Sequence, residues 1–126
     1  MARPLKTGLD YFPLDCVTDE KIEALESEYG IEGFGVWVRL MQSIYRTDTG
    51  EINLKDNGFS MWKILGKRCG KDEEYLRKVI GFMVDIGIFN KQAFKKDSIL
   101  TSNGIKKRVA KINLLREKDR ERKEGK

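Results

Sequence analysis

The sequence predicts a mainly α-helical (α+β) fold, a winged helix, and three observations in the middle of the chain lead to it. Two apolar patterns at helical spacing follow one another, the first after Ser60 and the second after Asp72. The glycines of the run LGKRCG separate the two patterns and predict a tight turn. Two short β-prone runs at 88–90 and 99–101 come next, with the basic segment KQAFKKD between them, which favours a hairpin with a long tip. Helix, turn, helix and hairpin is an order used mainly to bind nucleic acid or to join protomers.

The chain before this unit is predicted to begin with an extended arm. Residues 1–15 contain Pro4 and Pro13, which disfavour helix around them. Thr18 can cap a helix rich in acidic residues, and Gly30 should end it.

Residues 32–47 carry the strongest helical pattern, so we expect them to form the central core helix. The apolar stripe of this helix comprises Phe34, Trp37, Val38, Met41, Ile44 and Tyr45. The run EINL at 51–54 then predicts a short strand that pairs with the edge of the hairpin in a three-stranded sheet.

A basic last helix should start at Ser102, a plausible cap. Its apolar face consists of Ile105, Val109, Ile112 and Leu115. Residues 116–126 alternate in charge sign, which is typical of a solvated helix or of a disordered linker. The expected organisation is an arm at 1–15, a winged-helix domain at 16–101, and a basic helix or linker at 102–126 that leads to a C-terminal domain absent from this chain.

Composition restricts the function classes. The chain has 126 residues, the size of one domain. It has no histidine, no P-loop and no glycine-rich phosphate turn, so we expect no enzyme activity, no cofactor and no metal. Cys16 and Cys69 are not in CxxC spacing and should be half-buried thiols. No apolar run approaches the ~20 residues that span a bilayer, and we expect a cytoplasmic protein that binds no membrane.

Positive charge is concentrated at one end of the chain. The net charge is +5. Residues 102–126 hold ten basic and four acidic residues, a net charge of +6, which leaves the other residues at −1. A basic tail on a nearly neutral domain favours a nucleic-acid or acidic partner.

The chain resembles a known family in four segments. These are LDYFPLD at 9–15, DEKIEALESEYGIEGFGVWVRLMQSIYR at 19–46, DIGIFN at 85–90 and ILTSNGIKKR at 99–108. Over about residues 8–110 they resemble the N-terminal domain of phage-type replisome organisers, which is similar in turn to the winged-helix domain of DnaD-like primosome proteins. The resemblance implies a role in DNA replication initiation, with origin DNA and helicase-loading (primosome) proteins as partners. It also implies self-association through this domain, DNA binding mainly by a separate C-terminal domain, and no catalytic residues.

The basic side chains are the candidate contacts to DNA phosphates. The candidates are Lys63, Lys67, Arg68, Arg77, Lys78, Lys91, Lys95, Lys96, Lys106, Lys107, Arg108 and Lys111. The second helix of the pair offers only Arg77 and Lys78 against four acidic residues, which disfavours base reading in the major groove and favours nonspecific, salt-sensitive contact.

Homo-oligomerisation is the other expected activity. The apolar residues Ile105, Val109, Ile112 and Leu115 are candidates for a dimer interface, and docking of the same face within one chain is the alternative. Two other functions stay open: a winged-helix transcriptional regulator that binds operator DNA as a dimer, and a pure protein–protein assembly domain.

Overall fold

A computed structural model describes residues 9, 11–17, 19–55 and 58–124 of the chain. In these residues the fold is mainly helical with a small antiparallel sheet. The elements in chain order are α1 (Glu20–Tyr45), β1 (Ile52–Asn53), α2 (Met61–Cys69), α3 (Glu73–Asp85), α4 (Lys91–Asp97), β2 (Ile99–Leu100) and α5 (Asn103–Glu124). None of the helices in this part of the chain has the length and apolar character that a membrane span requires.

The kink in α1 divides it into the two predicted helices. Gly30 has φ 71° and ψ −167°, a conformation that is essentially restricted to glycine. The chain resumes helical geometry at once, so the halves form one bent element without a loop. Asp19 caps the first half, because its Oδ1 accepts a hydrogen bond from the Ile22 N–H at 3.0 Å. The predicted cap, Thr18, lies outside the described residues.

The helical pair α2 and α3 has the predicted boundaries. The Ser60 Oγ accepts a hydrogen bond from the Lys63 N–H at 3.4 Å, and the Asp72 Oδ1 accepts one from the Tyr75 N–H at 2.8 Å. Gly70 ends α2 in the left-handed conformation. A Cβ at Gly66 would lie 2.7 Å from the Lys71 carbonyl oxygen, so the following turn packs directly on the backbone of α2.

The predicted hairpin wing is wrong. Residues 88–90 form no strand, and the expected tip forms α4. The Asn90 Oδ1 caps this helix by accepting a hydrogen bond from the Ala93 N–H at 3.0 Å, and Phe94 packs against the core. The sheet in the described residues has two strands, with Ile52 opposite Leu100, instead of the expected three. The winged-helix classification is therefore not confirmed.

The buried face of α1 agrees only in part with the expected stripe, of which Ile44 and Tyr45 are fully buried. Val36 and Leu40, which lie outside that stripe, are also almost completely buried, and α1 packs on α2 and α3. Phe34 and Trp37 are only half-buried and lie at the flank of this face, with ring centroids 5.6 Å apart. The buried positions in the second half of α1 are Gly33, Val36, Leu40, Ser43, Ile44 and Tyr45. Their steps of three and four residues have the spacing of the expected stripe, but the face is rotated toward Val36 and Leu40.

The arm and α5 both pack on this core. The Leu9 N–H donates to the Tyr45 carbonyl oxygen at 2.8 Å, and the Phe12 ring stacks on Tyr45 with centroids 5.3 Å apart. The Ser102 Oγ caps α5 by accepting a hydrogen bond from the Ile105 N–H at 3.2 Å. For residues 116–126 the sequence left a solvated helix and a disordered linker as alternatives. The structure has a helix as far as residue 124.

Candidate nucleic-acid interface

The two basic side chains of α3 are held by carboxylates of the same helix. The Arg77 Nε donates to the Glu73 Oε2 at 3.1 Å, and the Arg77 guanidinium lies 4.4 Å from the ring centroid of Trp62. The Lys78 Nζ lies 3.6 Å from the Glu74 Oε1. Both are i,i+4 pairs, which contribute little stability but cancel the local charge. The helix that would read bases therefore presents cations that already have partners.

Two of the basic side chains that open α5 connect this helix to the rest of the domain. The Lys106 Nζ lies 3.0 Å from the Glu51 Oε2. The Arg108 Nη1 donates to the Tyr45 hydroxyl at 2.6 Å. Lys107 and Lys111 are exposed, and the described residues provide neither of them with an ion pair or side-chain hydrogen bond. Only the second pair is available to a ligand without breaking a contact.

The basic segment between the β-prone runs presents its lysines from a helix, because the expected wing tip is α4. Lys91, Lys95 and Lys96, which we call the α4 lysines, line a shallow surface depression together with Gln92. All three are exposed and have no carboxylate partner among the described residues. Lys91 and Lys95 are four residues apart and therefore share one face of the helix.

The basic residues of α2 are divided between solvent and α1. Lys63 and Lys67 are exposed at i,i+4 spacing. Arg68 turns toward α1, where its Nη1 donates to the Ser43 Oγ at 3.1 Å. There it meets Arg39 and Arg46, which line the same recess and which we did not select from the sequence. Their seven-residue spacing, which puts both on one face of a helix, was the available signal.

The four predicted oligomerisation residues do not share one exposed face. Ile105 and Val109 are 3% and 1% exposed and belong to the core of the chain itself. Ile112 is half-buried beside the arm, and Leu115 is 52% exposed. Ile105 and Val109 thus dock within the chain itself, which was the alternative to a dimer interface. Ile112 and Leu115, together with the exposed Leu114, form an apolar surface edge.

The two thiols lie in different environments. Cys69 is half-buried, as predicted, and burial raises the pKa of its thiol. The same prediction is wrong for Cys16, which is exposed in the bend before α1.

Comparison with known proteins relates the chain to a phage-related group. The family model described as Lin1244/Lin1753-like, N-terminal, matches residues 11–105. An uncharacterized phage-related protein Lin1244/Lin1753 of Listeria innocua is 33% identical over 115 residues, which cover 86% of this chain and 35% of that protein. The chain thus spans about a third of the length of this relative. No solved structure matches.

Proposed function

This chain belongs to the family described as Lin1244/Lin1753-like, N-terminal, and from that premise we propose that it is a domain of a phage DNA replication initiation protein. The phage association rests on the relative's description. The replication role rests on the resemblance of YFPLD, YGIEGFG and ILTSNGI to phage-type replisome organisers. In this role the domain contacts DNA nonspecifically and joins protomers, and helicase-loading proteins are the partners that the resemblance implies.

The division of the cations into paired and free groups is the observation that carries the DNA proposal. The cations of α3 are neutralised by Glu73 and Glu74. The α4 lysines, Lys63 and Lys67 of α2, and Lys107 and Lys111 of α5 have no carboxylate partner among the described residues. Free surface cations outside the base-reading helix favour phosphate contact over sequence reading.

The same division disfavours an operator-binding regulator. Arg77 and Lys78 would have to leave their carboxylates, and Arg77 also its contact with Trp62, before either reached a base edge. The free energy lost in breaking these contacts offsets part of the roughly 1–3 kcal/mol that a good base contact contributes.

The fold proposal is a winged-helix variant. The chain has two helices around a tight turn, followed by a strand, β2, that returns to β1. We place α4 where a typical wing has its hairpin tip, which puts the α4 lysines where wings contact the DNA backbone.

Charge removal tests the DNA proposal. Fluorescence anisotropy of a labelled duplex at several salt concentrations gives the slope of log affinity against log salt. This slope is negative, and changing the three α4 lysines to Gln should decrease its magnitude by about two to three, because each lost phosphate contact removes about 0.9. Changing Arg77, Lys78 and Lys106 to Gln removes the same charge from paired positions and should reduce the slope much less.

Other outcomes of this experiment separate the alternatives. A parent chain that binds no duplex even at low salt would indicate a pure assembly domain. Loss of preference among duplex sequences on changing Arg77 and Lys78 would indicate a regulator. Truncation near Gly104 is a poor test, because it removes the core residues Ile105 and Val109.

Protomer association is proposed to use the surface edge of Ile112, Leu114 and Leu115. Changing Ile112 and Leu115 to Glu should give a folded monomer in sedimentation, since buried carboxylates without partners oppose association. Ala110→Glu, an exposed change on the same helix, is the control and should sediment like the parent. A double variant that sediments like the parent would remove this interface.

A further inference from the structure

A recess between α1 and α2 is lined by three arginines. On α1, Arg39, Gln42, Ser43 and Arg46 fall on one face, since residues three, four and seven positions apart lie above one another on a helix. Arg68, in the last turn of α2, lies across from them with its Nη1 3.1 Å from the Ser43 Oγ. The recess has a volume of about 240 Å³, and none of the five lining residues is acidic.

Most of the hydrogen-bond donors in this recess are unused. Each guanidinium carries five N–H donors. Arg39 donates from Nη1 to the Gln42 Oε1 at 3.2 Å, and Arg68 donates from one Nη1 to Ser43. Within the described part of the chain the Arg46 side chain has no hydrogen bond, and none of the three arginines has an ion pair. The recess thus offers many donors and almost no competing acceptors.

The positive charges influence one another. Burial lowers the pKa of Arg68, and the charge of Arg46 lowers it further. Burial raises the pKa of the neighbouring Cys69 thiol, whereas the charges of Arg39 and Arg68 oppose that increase. Like charges that converge without a counter-charge repel one another, and a bound anion removes that repulsion.

We propose that this recess is a binding site for a phosphate group, held by Arg39, Arg46 and Arg68. The planar fork of a guanidinium pairs two N–H donors with two oxygens of an oxyanion. A carboxylate offers only two oxygens, which lie in one plane, and it carries less charge than a phosphate. A phosphate has oxygens for several forks that approach from different sides, which is how two helices present them here.

Two sources of this phosphate share the same chemistry. It belongs either to a nucleic-acid backbone, in which case the inference rests on the proposed DNA contact, or to a small phosphorylated molecule, in which case it does not. Separate measurements of pyrophosphate binding and DNA binding distinguish the two sources.

The first measurement is a pyrophosphate titration of the whole chain, followed by NMR of the arginine Nε–Hε groups. We expect saturable shifts for all three arginines. Arg39→Gln with Arg46→Gln should weaken binding about tenfold or more, the factor that loss of a hydrogen bond to a charged group costs. Both side chains are exposed, so the variant should keep the parent's thermal unfolding curve.

Two further variants act as controls. Lys55→Gln with Lys118→Gln removes the same charge from exposed positions outside every proposed contact, and should bind pyrophosphate like the parent. Arg39→Lys with Arg46→Lys keeps the charge but loses the forks. It should fall between the parent and the Gln variant if bidentate geometry matters.

The second measurement is the salt slope of duplex binding for the Gln variant and the Lys control. If the magnitude of the slope decreases by about one in the Gln variant but not in the Lys control, a DNA phosphate lies in the recess. Lost pyrophosphate binding with an unchanged slope identifies a small phosphorylated ligand. A parent that binds pyrophosphate but no DNA refutes the proposed DNA contact and supports the recess. Absence of pyrophosphate binding, together with equal slopes for variant and control, overturns the inference.

Discussion

Replacing glycine by alanine should have opposite effects on the free energy of unfolding at Gly30 and at Gly35, two positions in α1. Gly30 has φ 71° and ψ −167°, and a Cβ added there would meet nothing within 4 Å. Gly30→Ala therefore tests backbone strain without a clash. A residue held in such a region costs about 1–3 kcal/mol, and the reduced entropy of the unfolded chain offsets about 0.4–1 kcal/mol of it. The free energy of unfolding should fall by about 1–2 kcal/mol.

Gly35→Ala is the matched control. Gly35 lies in the second half of α1 with helical geometry, and a Cβ there would also meet nothing within 4 Å. Alanine in a helix interior is favoured over glycine, so this variant should gain about 0.5–1 kcal/mol.

Urea and thermal unfolding followed by circular dichroism measure both variants. The two melting temperatures should differ by roughly 6–12 °C, at about 4 °C per kcal/mol for a domain of this size. A Gly30→Ala variant as stable as the parent would refute the reasoning, because α1 could then run through this point at no cost.

Three other predictions concern a buried hydroxyl, a buried hydrogen bond and the two thiols. The Tyr75 hydroxyl is buried without a hydrogen-bond partner in the described structure, so Tyr75→Phe should be neutral or stabilising by up to about 1 kcal/mol in urea unfolding; a clear loss would mean that the hydroxyl is bonded. Thr101→Val should cost about 1–3 kcal/mol by the same measurement, because Thr101 Oγ1 donates to the buried Gly50 carbonyl oxygen at 2.6 Å; an unchanged midpoint would contradict this. Iodoacetamide at neutral pH should modify the exposed Cys16 well before Cys69, whose burial raises the pKa of its thiol, and equal rates in a mass-spectrometric time course would contradict the burial of Cys69.

Helix boundaries were predictable from the sequence because caps are local. Ser60, Asp72 and Ser102 each accept a hydrogen bond from an N–H three residues on, so all the chemistry lies within one turn. The break at Gly30 is local in the same sense, since only glycine tolerates that backbone conformation.

The segment 91–97 shows where local reasoning fails. Seven residues are too few for helical periodicity to exclude a hairpin tip. The helix is selected by Phe94, which packs on the core, and by the pairing of Leu100 with Ile52, a residue far away in the sequence.

The candidate site was predictable in its charges but only partly in the partners of those charges. The pairing of Arg77 with Glu73 could have been inferred from i,i+4 spacing. The contact of Lys106 with Glu51 depends on how α5 docks on the domain, so it could not have been inferred from the sequence.

The sequence by itself determined the mainly helical class, the capped starts of α2, α3 and α5, and the concentration of positive charge at the end of the chain. These features depend on residues within a turn of one another or on composition alone. Only the tertiary structure decided that Ile105 and Val109 belong to the core, and that Arg68 meets two arginines of α1. The physical reason is that burial and charge compensation depend on side chains that packing brings together from distant parts of the sequence.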